Sequence, residues 1–263
     1  MRPYLAIVSA RFRMLLQYRA AAWAGVATQG FWGLIRVMVF DAFYRSSSAT
    51  QPMTLDQTVS YIWLGQATIG LLIFSVDADV RDMVRTGTVA YELARPVDLF
   101  SLWYWRSVAS RAAPTLLRCM PIMVLAIALR GLGPPASVAS GFAWVLSQVA
   151  ALMLSAAVMT LATISLLWTV SGEGISRLLP MVAWLSTGIV IPLPLFPDWA
   201  QPILNSLPFA GMLDTPARVY MGHIDAGHAS LAIARQLAWT LALVWLGRLL
   251  IARGTRRLVV QGG

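Results

Sequence analysis

Six long apolar runs constrain this chain more than any other feature, at about 20–43, 58–76, 112–129, 142–170, 175–196 and 231–251. Each has roughly the 20 residues that a helix needs to cross about 30 Å of hydrocarbon. The fourth run is the longest, so it tilts or projects from the bilayer. Composition agrees: 58% of the residues are hydrophobic and 12% charged, against about a quarter charged in a soluble domain. One core cannot hide that much apolar surface, so lipid must serve as solvent for much of it. Ahead of the first run, Leu5, Val8, Phe12 and Leu16 fall near one helical face, with Arg2, Arg11 and Arg13 largely off it. That pattern predicts an amphipathic interfacial helix over 1–19. The segment lacks the compact charged head, short apolar run and small-residue cleavage site of a signal peptide. The expectation is an all-α integral membrane protein, one domain over 1–263, with six transmembrane helices and an N-terminal interfacial helix.

Charge placement orients it. The formal net charge is +9, and all 20 basic residues are arginine. Fourteen lie in the N-terminus, the 77–111 loop, the 171–177 loop and the C-terminal tail. The alternate segments hold only Arg45, Arg130, Arg218 and Arg235, while Arg36 and Arg118 fall inside runs. The positive-inside rule puts the first set, with both termini, in the cytoplasm. A basic total also suggests nucleic acid, but arginines flanking apolar runs point to the membrane surface and to lipid partners. The third outer segment, 197–230, is long and patchily apolar and is expected to hold short helices.

Several chemistries are excluded or poorly supported. A Walker A loop needs a lysine to reach phosphates, and the chain has none. It is therefore no P-loop ATPase, and lysine Schiff-base chemistry goes with it. His223 and His228 flank Asp225 in a glycine-containing loop, a poor metal pattern. No G-x-S-x-G nucleophile motif occurs. The single Cys119 cannot form an internal disulfide. We expect no catalytic, cofactor or metal site in this chain.

The loop sequence Arg85-Thr-Gly87-Thr-Val-Ala-Tyr-Glu92-Leu-Ala-Arg95-Pro96-Val97 resembles the first cytoplasmic loop of ABC-2 type permeases, most closely a small six-helix bacterial subfamily. A second stretch, Gly188 to Trp199 with Pro192 and Pro194, followed by Leu207-Pro208-Phe209 and Tyr220-Met-Gly222, is similar to that subfamily's fifth helix and outer loop. The resemblance implies an ABC-2 type permease fold and a permease subunit of an ATP-driven exporter in the bacterial inner membrane. It implies a separate ATP-binding subunit that holds ATP and Mg, and a second permease, a heterodimer more than a homodimer. It also implies that a coupling helix lies within the 81–97 loop, with Arg81, Arg85, Gly87, Glu92, Arg95 and Pro96 at the ATPase interface. Residue chemistry fits: Gly87 can end a short helix and Pro96 can begin the next. Glu92 either hydrogen-bonds the ATPase or pairs with Arg95. Glu173 either adds a second contact or pairs with Arg177 one helical turn on. The rival functions are a membrane-embedded enzyme acting on lipid or polyprenyl substrates, and a self-contained carrier or channel.

Inside the spans, an arginine costs at least about 2.5–3.5 kcal/mol, so Arg36 and Arg118 need protein, water or an anion. Arg118 lies between Pro114 and Pro121 and either pairs structurally or lines the permease interface. Arg36, near Asp41, either snorkels to headgroups or borders the same path. Pro192 and Pro194 either unwind the fifth span beside a pathway or simply end it.

Overall fold

The computed structural model describes residues 6, 8–10, 12–14, 17, 19–48, 50–72, 76–94, 96–169 and 173–255, so about half of the interfacial helix expected over 1–19 lies outside the described residues. Every regular element among the described residues is helical. In chain order these are α1 (Arg19–Ser46), α2 (Leu55–Thr68) prolonged by a 3-10 turn (Ile69–Leu72), α3 (Ala78–Thr86), α4 (Val89–Leu93) and α5 (Leu99–Ala128). There follow α6 (Val138–Ile164), α7 (Leu166–Thr169), α8 (Glu173–Ser186), α9 (Ala200–Ser206), α10 (Asp214–Tyr220) and α11 (Ala226–Gly254). Two further 3-10 turns, Leu193–Leu195 and Pro208–Met212, flank α9.

Among the described residues, three segments are long and apolar enough to cross a membrane: Leu99–Ala128, Val138–Thr169 and Ala226–Gly254. α1 runs for 28 residues, whereas α2 and α8 have 14 each. α2 is a core helix. Tyr61, Trp63, Leu64 and Ala67 are buried in it, and so are Thr58, Gln66 and Thr68. A helix buried all round sits among other helices rather than in lipid, and α2 packs against α1, α5 and α10. Its start is set by a capping box, in which Thr54 and Gln57 satisfy each other's backbone N–H groups. α8 carries Pro180 within it and stops at Ser186. Gly188 then takes a left-handed φ of 85°, which a side chain would resist. Pro192 and Pro194 thus lie beyond the helix, in the turn around Leu193–Leu195.

The third apolar run begins well before its expected start. α5 opens at Leu99, where the Asp98 carboxylate accepts the Ser101 N–H at 2.9 Å. The charges of Arg106 and Arg111 mark this stretch as loop in the sequence, but both side chains are buried. The loop therefore ends at Asp98, not at residue 111. α6 forms the centre of the bundle, lying along α11 on one side and α5 on the other.

At the end of the bundle away from that loop, 197–230 folds down as α9, a 3-10 turn and α10. Tyr61 donates to the buried Asp214 carboxylate at 3.0 Å, and Arg218 approaches it at 3.5 Å. Gln236 of α11 donates to the Gly211 and Ser147 carbonyls, at 2.6 and 3.2 Å. Tyr220 donates to the Gly133 carbonyl at 2.9 Å.

Two outcomes follow from this packing. A Cβ on Gly33 of α1 would sit 2.8 Å from the buried Trp63 ring, so Gly33→Ala should cost about 1–3 kcal/mol. Gly174→Ala, with nothing within 4 Å, should be neutral or slightly stabilising; equal melting temperatures for the two variants in detergent would refute the close α1–α2 approach. Burial pushes the Asp214 carboxyl up to about 6, against the pull of Arg218, from an ordinary value of 3.8. Between those values the folded chain binds the proton more tightly than the unfolded chain, so stability falls as pH rises through the window and levels off above it. Relative to Asp214→Asn, the wild type should lose roughly 1–3 kcal/mol between pH 4 and 7. Parallel pH profiles would show that this carboxyl does not titrate there.

Candidate functional site

The chemistry that distinguishes this chain gathers where residues 77–98 fold back onto α5. Asp77 caps α3, its Oδ1 accepting the Asp79 and Val80 N–H groups at 3.1 and 3.4 Å. α3 ends at Gly87, whose φ of 73° is the left-handed conformation that closes a helix without a Cβ penalty. One turn later α4 buries Val89 and Glu92 and exposes Tyr91, at 74%, and Leu93, at 40%. A five-residue helix has little intrinsic stability, so something must hold it from behind.

That something is Arg106. Its Nη1 donates to Glu92 Oε1 at 2.9 Å, and its Nη2 to Asp79 Oδ2 at 3.1 Å. Asp77 Oδ2 stands 3.6 Å from the same Nη2. The other Glu92 oxygen accepts the Trp103 indole N–H at 2.7 Å. One guanidinium in the first half of α5 thus gathers carboxylates from the start of α3 and from α4. The Arg106–Glu92 pair is the buried part; Asp79 is largely exposed and contributes less.

Arg111, just over one turn further, faces the neighbouring helix. Its Nε donates to Ser155 at 3.1 Å, and its Nη1 to the Ser107 hydroxyl and carbonyl at 2.7 and 3.0 Å. Ser155 in turn donates to the Leu71 carbonyl. The chain joins α5, α6 and the turn after α2, so that the buried charge is hydrogen-bonded rather than stranded. Between α3, α5 and α6 lies a cavity of about 300 Å³, lined by Arg81, Arg111, Ser107 and Trp103 among others.

The residues singled out from sequence scatter around this site. Arg85 and Pro96 are exposed, Arg81 is half-buried towards the cavity, and Gly87 is the α3 cap. Pro96 precedes the α5 cap rather than beginning the helix. Glu92 points inward to Arg106, not outward. Arg95 and the Glu173 side chain lie outside the described residues. Arg118 is remote from the loop; its guanidinium covers Gly25 of α1, where a Cβ would meet Nε at 2.5 Å. Arg36 is half-buried on α1, and Asp41 pairs with Arg45 at 2.9 Å instead. Sequence reasoning missed Arg106, Arg111, Trp103, Asp77 and Asp79. One signal was present: Asp98 before the apolar Leu99–Tyr104 stretch is a helix start.

The family model described as ABC-2 family transporter protein matches residues 31–262, nearly the whole chain. No curated protein matches it.

Removing one partner of a buried ion pair costs about 3–5 kcal/mol. Arg106→Leu should therefore destabilise the fold by about that much and raise amide exchange across α3 and α4. Glu92→Gln, which keeps an acceptor for Trp103, should cost less. Unchanged exchange over 78–93 in Arg106→Leu would show that the loop is held by other contacts.

Proposed function

The chain belongs to the ABC-2 family of transporter proteins, and from that membership we propose that it is the permease subunit of an ATP-driven exporter. The observation that carries the reading is the family match over nearly the full chain. It is a multi-pass membrane protein, and proteins of this family are the membrane components of transporters that work with ATP-binding subunits. The absence of lysine leaves ATP hydrolysis, with its Mg, to that partner.

In this reading six crossings are made by α1, α2 with its 3-10 turn, α5, α6 with α7, α8 and α11. Both termini and the 77–98 loop face the cytoplasm of a bacterial inner membrane, in keeping with the arginine asymmetry. α3 and α4 form the coupling element. Its docking tip is the exposed pair Tyr91 and Leu93. Large apolar and aromatic side chains exposed on a braced element are what an interface anchor needs. Glu92 serves from behind, locking α4 to Arg106, so that a push on the tip moves α5 as a rigid body. A second permease, most simply a related chain in a heterodimer, completes the pathway. Its substrate is exposed alternately to the two sides as the ATPases close and open. Arg118, lying over Gly25, holds α1 to α5.

A gentle-detergent pull-down of this chain from its host tests the reading. Recovery of a P-loop ATPase is expected, with a second permease beside it. Tyr91→Ala combined with Leu93→Ala should lower ATPase recovery roughly tenfold or more while leaving membrane insertion intact. A chain that comes down folded, alone and at full yield would overturn the assignment.

A further inference from the structure

The cavity between α3, α5 and α6 is unbalanced in charge. Arg81 lines it, half-buried, and among the described residues its guanidinium has no acidic partner. Arg111 adds a second, fully buried guanidinium to the same wall. Asp77 also borders the space, but one of its oxygens caps α3, the other faces Arg106, and its charge acts on Arg111, so that Arg81 is the cation it leaves unpaired. The neighbouring cation Arg106 is surrounded by three carboxylates, so carboxylates at this end of the bundle are drawn to it and away from Arg81. A guanidinium half withdrawn from water without a counter-charge is costly unless an anion comes to it.

We propose that this cavity binds a phosphate-type oxyanion, with Arg81 as the principal ligand and Arg111 supplying field from behind. The volume, about 300 Å³, is at the low end for small-molecule sites, roughly 300–1,000 Å³. It suits a phosphate headgroup and excludes a whole lipid. Ser107, Ser110 and Thr163 add hydroxyl groups to the wall, while Val76, Val80 and Met159 give part of it an apolar character that favours the headgroup of an amphiphile over a free ion. That source, an anionic phospholipid of the cytoplasmic leaflet, rests on the orientation proposed above; the oxyanion site itself does not. Because Arg81 stands on α3, an occupied site would bridge the coupling element to α5 and α6.

The test uses the full chain, purified in mild detergent together with any subunit that accompanies it. Binding is read by native mass spectrometry and thermal shift with phosphatidylglycerol, phosphatidylcholine or inorganic phosphate. Phosphatidylglycerol should bind roughly tenfold more tightly than phosphatidylcholine, and Arg81→Gln should abolish the preference, as loss of a charged hydrogen-bond partner predicts. Arg81→Lys should retain much of it. Arg253→Gln, exposed near the end of α11 and outside the cavity, should bind as the wild type does. Stabilisation by inorganic phosphate that needs Arg81, with no lipid preference, would keep the oxyanion site and assign it to a free anion. If neither phosphatidylglycerol nor phosphate distinguishes wild type from Arg81→Gln, the site does not exist. Neither result depends on recovery of an ATPase, so this inference and the permease assignment fail separately.

Discussion

A guanidinium taken out of water must be paired, and Arg106 is the residue on which one whole end of this molecule depends. Its carboxylate partners come from three places: the cap of α3, the first turn of α3, and α4. Neither short helix has the length to stand alone, although Val80 and Val89 also seat them in the apolar core. Held to α5 by charge-assisted hydrogen bonds, they become an extension of it. The Trp103 indole closes the arrangement by taking the second oxygen of Glu92. α4 then presents Tyr91 and Leu93 outward on a base that cannot slide.

The rest of the fold follows the logic of an apolar solvent. Polar side chains turn inward, where Ser147 pairs with Gln236 and Thr160 and Thr163 bond back to their own helix. Large apolar residues face outward instead: Phe31, Trp32 and Met38 on α1, and Leu178, Met181 and Leu185 on α8. Small residues let helices close up, as Gly33 does beneath Trp63. The opposite end has its own lock, in which Asp214 receives Tyr61 and is approached by Arg218. α5 and α6 join the two ends, so the loop and the 197–230 segment are connected by continuous packed helix.

Much of this could be read from residues alone. Apolar runs and charge depletion mark the chain as helical and membrane-borne, and the loop motif from Arg85 to Val97 carries the ABC-2 resemblance that the family match bears out. Gly87 was legible as a helix end because only its missing side chain permits the left-handed turn. Arg106 and Arg111 were not legible as interior residues. In sequence they look like solvated loop charges, and nothing local tells a paired arginine from a hydrated one.

Local physics therefore determined what kind of chain this is: helices for want of backbone partners in lipid, and a charged loop broken at Gly87. Tertiary structure decided where that loop stops and which of its residues face out. The deciding contacts link Glu92 to Arg106, Leu71 to Ser155 and Tyr61 to Asp214, separations of 14, 84 and 153 residues. Helical periodicity carries information over a few turns only. Whether a charge is buried depends on a partner that folding alone brings within reach.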